Sequence, residues 1–356
     1  MAFQQAVTLK DLRRYSEFER AIAARGQADD VVAYLRDDLT VHGRPFGSDS
    51  LLFGELSHAW VGFCRELCGA SPALFQLHSL NEGFTWKETS GPLRILSQEQ
   101  ARSYDELGYT KLEAVFSREE IERVMVDMDE CEARVESSLR RLRQGENFIA
   151  RADEITFASH IVKRSAVVRD FVQSRPFQDI AHDLVGPDVR LYWDQTVYKK
   201  PGVSAPFPWH QDNGYTFVEP QQYPTIWIAL TDTDQDNGCI WLAPRIHRLG
   251  TLAHERTELG YVCFDGEPHN AVPIEARAGD VVLFSSLTPH LTRGNFTDAT
   301  RKAYILQLVP DGACSVVTDE AGKRSRLPVT LEERQFHILL DGREPAAMPR
   351  ELLDYV

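Results

Sequence analysis

Pro208-Trp209-His210-Gln211-Asp212 sets an imidazole and a carboxylate two residues apart. In extended backbone such a pair leaves the same face of the chain. Much further along, Thr288-Pro289-His290 puts a second imidazole after an apolar run, where a ligand at a strand end belongs. Two imidazoles and one carboxylate on one side of a metal leave positions open on the other, the ligand pattern of non-haem Fe(II) oxygenases. Arg301 opens the next apolar run. A guanidinium there can clamp a carboxylate through two parallel hydrogen bonds, which lysine does not imitate. The Thr292 hydroxyl can reach the same carboxylate or serve only as a turn residue. An isolated His-x-Asp arises by chance in many chains, so the weight rests on the ordered set. Two other readings stay open. One is a cupin-like metal enzyme without redox chemistry, an isomerase or hydrolase, which has no need of Arg301. The other is a catalytically inactive jelly-roll binding module in which the triad is accidental.

The elements that must position these residues are short β runs separated by turns. Val189–Lys199 alternates loosely, Thr225–Leu230 is apolar and β-rich, and Gly279-Asp280 opens a run over Val281–Ser285. Asn237-Gly238 predicts a hairpin between Asp232 and Leu242, and Arg301–Val309 is the last clear strand. Many short strands with regular turns predict an α+β, mainly β fold, a sandwich or barrel; a double-sheet jelly roll flanked by helices is the architecture most consistent with ligands from separated strands. Ser97-Gln98-Glu99-Gln100 is a capping box opening a short helix that Gly108 ends, and Tyr109–Val115 reads as a strand. A second capping box at Ser117 starts a helix with Ile121, Val124, Met125, Met128, Cys131, Val135, Leu139 and Leu142 along one stripe, a packing face. Arg164–Leu184 reads as helix, broken in two at Pro176.

Residues 1–95 read as a helical extension, with helices over Leu9–Ala24, Ala28–Leu39 and Leu51–Cys68. They carry no ligand cluster: His42, His58 and His78 have no partner at ligand spacing. Their aromatic content calls for packing, either over the mouth of the site or against a second copy of the chain, as in a homodimer. The expected division is therefore an extension or cap over 1–95, a catalytic jelly roll over 96–318, and a tail over 319–356 that packs on the outside.

Net charge of −14 argues against a nucleic-acid partner and leaves a small molecule as the default substrate. No apolar run approaches the roughly 20 residues needed to cross a membrane, and the N-terminal residues lack a secretory pattern. Six cysteines without a CxxC pair fit reduced, buried thiols in a cytoplasmic protein.

Taken together, Trp209-His210-Gln211-Asp212, Trp227-Ile228-Ala229-Leu230, Asp236-Asn237-Gly238-Cys239, Gly279-Asp280, Pro289-His290 and Arg301-Lys302-Ala303-Tyr304 resemble the phytanoyl-CoA dioxygenase family over roughly residues 97–310. The resemblance implies a double-stranded β-helix that uses Fe(II), 2-oxoglutarate and O2. It implies His210, Asp212 and His290 as iron ligands and Arg301 as the 2-oxoglutarate anchor. Gln211, Trp227 and Thr292 would line the cosubstrate pocket, with Tyr198 as a further pocket candidate. The implied reaction hydroxylates a C–H bond of a small molecule of secondary or specialised metabolism, with release of succinate and CO2. Related halogenases carry a small residue in place of the carboxylate, so Asp212 implies no halogenation. One departure stands out: the family often has Pro-Gly-Ser-His after the hairpin, where this chain has Pro244-Arg245-Ile246-His247. His247 is expected to stand behind the ligands or to be structural, and not to be a ligand.

Overall fold

Capping chemistry sets where the helices begin. In α1 (Gln98–Leu107) the Ser97 hydroxyl accepts from the Gln100 amide while the Gln100 side chain accepts from the Ser97 amide. The helix stops at Gly108, φ 86°, where an added Cβ would lie 2.5 Å from both His247 Nδ1 and Thr288 Oγ1. The computed structural model describes residues 76–346 apart from 143, 265, 267, 269 and 319–321. The helices predicted over Leu9–Ala24, Ala28–Leu39 and Leu51–Cys68, with His42 and His58, lie outside the described residues.

After α1 come strand β1 (Tyr109–Leu112) and helix α2 (Arg118–Arg141). The second capping box opens α2, with Glu119 and Glu120 in its first turn and Arg140 and Arg141 in its last, which complements the helix dipole. Its predicted stripe is buried at Ile121, Val124, Met128, Cys131 and Leu139, and exposed only at Leu142, beyond the helix end. Strands β2 (Glu146–Asn147), β3 (Ala150–Arg151) and β4 (Ile155–Ser159) lead to α3 (Ala166–Val172) and α4 (Arg175–Leu184). Pro176 sits in the first turn of α4, where its missing N–H costs nothing.

The β region follows as β5 (Val189–Lys199), β6 (Phe207–His210), β7 (Phe217–Glu219), β8 (Pro224–Ala229) and β9 (Ile240–Leu242). Next are β10 (Glu255–Thr257), β11 (Gly260–Val262), β12 (Val272–Ile274), β13 (Val281–Ser285), β14 (His290–Thr292) and β15 (Arg301–Pro310). The last three are β16 (Cys314–Thr318), β17 (Arg324–Pro328) and β18 (His337–Leu339). One large antiparallel sheet runs β1-β13-β8-β15-β5-β4-β3-β2, with β18 on β5; the facing sheet runs β12-β9-β14-β6. Trp227, Ala229, Ile240, Leu242, Val282, Phe284 and Ala303 fill the space between them. The other face of the large sheet packs on the four helices through Tyr198, Ile226, Ile228, Tyr304 and Leu306. This is the jelly roll the strand pattern predicts, open rather than closed into a barrel.

Three expectations are corrected. Asn237-Gly238 does not close a hairpin, because β8 and β9 belong to different sheets and the turn carries the chain across the roll. Asp234 and Asn237 build that crossing by capping each other's backbone, and an added Cβ on Gly238 (φ +83°) would come 2.7 Å from the Arg293 carbonyl. The C-terminal residues do not merely wrap the outside. β16 pairs with β17 across position 318, and Phe336, Ile338 and Leu339 are buried in the main core because β18 extends the large sheet. Residues 76–95 contain no helix: Leu77 bridges Leu252, Asn81 Nδ2 donates to the carbonyls of Leu249 and Thr251, and Trp86 joins the core. The Pro and Gly of Gly91-Pro92 suit such an extended strap. Among the described residues no helix is long and apolar enough to cross a membrane.

Candidate metal centre and anion pocket

β6 ends at His210, Gln211 continues in extended conformation (φ −107°, ψ 143°), and Asp212 opens a single 3-10 turn. His210 and Asp212 thus face one side although the strand itself stops before Asp212. β14 begins at His290, directly opposite His210 in the antiparallel register. The two imidazole rings lie 4.0 Å apart by centroid, and His290 Nε2 is 3.9 Å from Asp212 Oδ1. One ligand atom from each of the three residues falls within 4.8 Å of the others.

The surroundings orient each donor. Nδ1 of His210 faces the Pro208 carbonyl at 2.8 Å and Nδ1 of His290 faces that of Thr288 at 3.1 Å. With Nδ1–H donating in both, each Nε2 lone pair turns toward the centre. Burial holds His290 down to about 4, and burial followed by the nearby His290 holds His210 well below the usual imidazole range. Both rings are therefore neutral near neutral pH, the state a metal needs. Burial pushes Asp212 up, opposed by His210 and by hydrogen bonds from Thr225 and Gln307. The Thr225 hydroxyl binds Asp212 Oδ2, which leaves Oδ1 toward His290.

Arg301, the first residue of β15, is 1% exposed. Its Nη1 donates to the Val197 carbonyl at 3.2 Å, while Nε and Nη2 are buried without a partner. Leaving charged donors unpaired in a core is costly, so this guanidinium is shaped for an anion that none of the described residues supplies. Strand alternation puts Arg301 on the inward face with Ala303, which packs in the cluster holding Trp227. Thr292 Oγ1 is also buried without a partner. A triad of neutral imidazoles and carboxylate, in a roll whose inner face also carries an unmet guanidinium, suits a divalent metal with a chelating carboxylate ligand.

Two predicted pocket residues lie elsewhere. Gln211 points away from His210 and Asp212: its Nε2 donates to the carbonyls of Leu287 and Gly250, and its Oε1 accepts from the Leu252 amide. It ties its own loop to two others, Gly250–Leu252 and Leu287, behind the metal side. Replacing Gln211 by alanine strands those groups, each worth about 1–3 kcal/mol. The denaturation midpoint is expected to fall by an amount equivalent to roughly 3 kcal/mol or more; an unchanged midpoint would return Gln211 to the pocket. Tyr198 faces the helices, where its hydroxyl donates to Asp129 at 2.6 Å under the Lys302 ammonium. Its even position in β5 puts it on the opposite face from Val197 and Lys199.

His247 is fully buried, its ring meets Trp86 edge-on and Nε2 faces the Asp105 carbonyl. His254, which no spacing singles out, accepts the Gln211 amide on Nε2 and so braces the metal loop from behind. Thr225 and Gln307 were also unforeseen. Gln307 does carry a signal, as a polar residue on the inward face of an otherwise apolar strand.

The phytanoyl-CoA dioxygenase family model matches residues 104–303. Among curated relatives the chain is similar to a phytanoyl-CoA dioxygenase of Arabidopsis thaliana, 28% identical over 168 residues, 46% of this chain and 59% of that protein. It is also similar to a methylphosphonate hydroxylase of Gimesia maris, 26% identical over 59% of this chain and 80% of that protein. The chain thus spans under two thirds of the length of the Arabidopsis relative. Among solved structures, the epimerase SnoN in complex with Fe3+, alpha ketoglutarate and nogalamycin RO aligns with a TM-score of 0.53 at 19% identity, over 68% of this chain and 98% of that one. The carbocyclase SnoK from nogalamycin biosynthesis aligns at 0.50 and 23%, over 63% of this chain and 89% of that one. At these identities the structural likeness is one of fold.

Proposed function

The chain belongs to the phytanoyl-CoA dioxygenase family, and from that premise we propose that it is an Fe(II)- and 2-oxoglutarate-dependent dioxygenase that hydroxylates a C–H bond of a small molecule of specialised metabolism. The observation that carries this reading is the pairing of the His210, Asp212 and His290 donor set with the unmet guanidinium of Arg301. Iron bound there supplies O2-dependent oxidation coupled to conversion of 2-oxoglutarate to succinate and CO2. His210 and His290 hold the metal through Nε2, oriented by the Pro208 and Thr288 carbonyls. Asp212 holds it through Oδ1, with Thr225 fixing the other oxygen. Arg301 and the Thr292 hydroxyl take the distal carboxylate of the cosubstrate, and Trp227 walls its chain. This division of labour needs Arg301, which an isomerase or hydrolase on the same triad does not.

The substrate side is aromatic. Phe207 and Tyr215 lie edge-on to His210 at 4.9 and 5.3 Å, Tyr261 meets Tyr215 at 5.1 Å, and Phe148 and Phe157 extend the wall. Such a wall supports a substrate with an apolar body next to the reacting carbon, unlike the phosphonate and hypophosphite named for several relatives. Purified protein given Fe(II), 2-oxoglutarate and O2 is expected to form succinate slowly alone and faster with substrate, which gains one oxygen atom. Absence of succinate under all conditions would overturn the reading.

A further inference from the structure

The Arg301 pocket holds a second buried basic side chain. Lys199, 1% exposed, leaves β5 directly opposite Arg301 of β15. Cross-strand neighbours of this kind have Cβ atoms about 5 Å apart. The Lys199 Nζ reaches three backbone carbonyls, those of Arg293 at 2.5 Å, Thr292 at 3.2 Å and Ala205 at 3.4 Å. Among the described residues neither Lys199 nor Arg301 is paired with a carboxylate. Among the described residues the groups around Lys199 supply no counter-charge. Burial pushes the Cys239 thiol, which lies close to Arg301, up to about 12, so it stays neutral. Arg293 directs its guanidinium over the Trp241 ring at 4.1 Å. Ile155 flanks Lys199 from β4, and Gly238 closes against its Cδ.

We propose that Lys199 is a positioning residue of the cosubstrate anchor, its amine taking up a proton when a dicarboxylate settles on Arg301, so that cosubstrate and proton bind together. The proposal rests on the reading of Arg301 as the 2-oxoglutarate anchor. A neutral amine has two hydrogens for three carbonyls, whereas the ammonium has three. What opposes the ammonium in the empty pocket is burial first and the Arg301 charge second, which bring Lys199 down to about 6. A carboxylate on Arg301 offsets that charge and favours the ammonium, which then adds its positive field to the anchor and tightens its hold on the Thr292 carbonyl. Because binding takes up the proton, affinity weakens as pH rises from about 6 toward the higher value of the bound state. The slope is at most about tenfold per pH unit for one linked proton.

Calorimetric titration of 2-oxoglutarate into the full chain loaded with Zn(II), in buffers of different ionisation enthalpy near neutral pH, counts the protons directly. The native protein is expected to show net proton uptake on binding. Lys199→Met should bind more weakly with no uptake. Lys199→Arg should keep most of the affinity, with neither uptake nor pH dependence. No uptake by the native protein, or undiminished uptake in Lys199→Arg, would overturn the proposal even if Lys199→Met fails to fold. A different result marks failure of the underlying reading: 2-oxoglutarate that does not bind, or that binds Arg301→Ala as tightly as the native chain.

Discussion

His290→Ala is expected to abolish both iron binding and turnover while leaving the chain folded. His290 is one of three donors whose ligand atoms sit within 4.8 Å of one another, and the other two do not make a site alone. Loss of an outer-shell partner of a metal ligand typically costs 10–100-fold in affinity or activity, so loss of the ligand itself should cost at least about a hundredfold. The scaffold is not expected to share that loss. The ring sits between His210 and Phe284, and its one hydrogen bond to protein goes to the neighbouring Thr288 carbonyl. Thermal unfolding with and without metal separates the two effects. At metal a hundredfold above its dissociation constant, the native protein gains about 2.7 kcal/mol, and the variant should gain nothing. A variant still stabilised by Fe(II) and still forming succinate would remove His290 from the centre.

Much of this centre is legible in the order of residues because metal chemistry demands particular side chains. His210, Asp212, His290 and Arg301 are read from type and spacing, and the fold brings the first three together through the register of β6 on β14. What spacing does not convey is which way a side chain between two ligands turns. Gln211 sits between His210 and Asp212 in sequence, yet extended backbone sends it to the other face, into three backbone hydrogen bonds. Tyr198 fails for the same reason, since one step along β5 exchanges the inner face of the roll for the helical one. Lys199, one residue further, stands beside Lys200 with nothing in its spacing to mark it. Only its pairing with Arg301 across β15 shows it to be buried in the anion pocket. Register is a long-range property, and nothing local announces it.

The fold shows a similar division. Capping boxes at Ser97 and Ser117 and the break at Pro176 are local chemistry, and the helices begin where those residues say. Asn237-Gly238 misleads because its turn preference is satisfied by Asx bonding within a loop that changes sheets. The Cys314–Thr318 and Arg324–Pro328 hairpin is mostly exposed, its second strand is polar and charged and reads as tail, and pairing of its first strand with β7 ties it to the roll. Polar edge segments of this kind lack the alternation on which strand prediction depends.

Arg301→Lys is expected to raise the Michaelis constant for 2-oxoglutarate by about tenfold or more, with little change in turnover at saturating cosubstrate. The substitution keeps a positive charge but exchanges a fixed fork of donors for a single mobile ammonium. Arg301 has two donors, Nε and Nη2, buried and unmet, and a third already committed to the Val197 carbonyl. Lysine cannot hold that carbonyl and two carboxylate oxygens in the same plane, and one lost charged hydrogen bond costs about 1.5–3 kcal/mol. Burial lowers Arg301 only to about 10, so the native side chain remains charged through the physiological range. A lysine in its place would stand directly opposite Lys199, whose own amine is already held down to about 6 by burial and the neighbouring cation. Two close amines disfavour each other's charge, so the variant's affinity should also become more pH-dependent than that of the native enzyme. Because the distal carboxylate is bound equally in the ground and transition states, the loss belongs in the Michaelis constant rather than in turnover. An unchanged constant for Arg301→Lys would place the cosubstrate away from β15. An equal fall in turnover at saturation would instead mean that the anchor acts on the reacting centre itself.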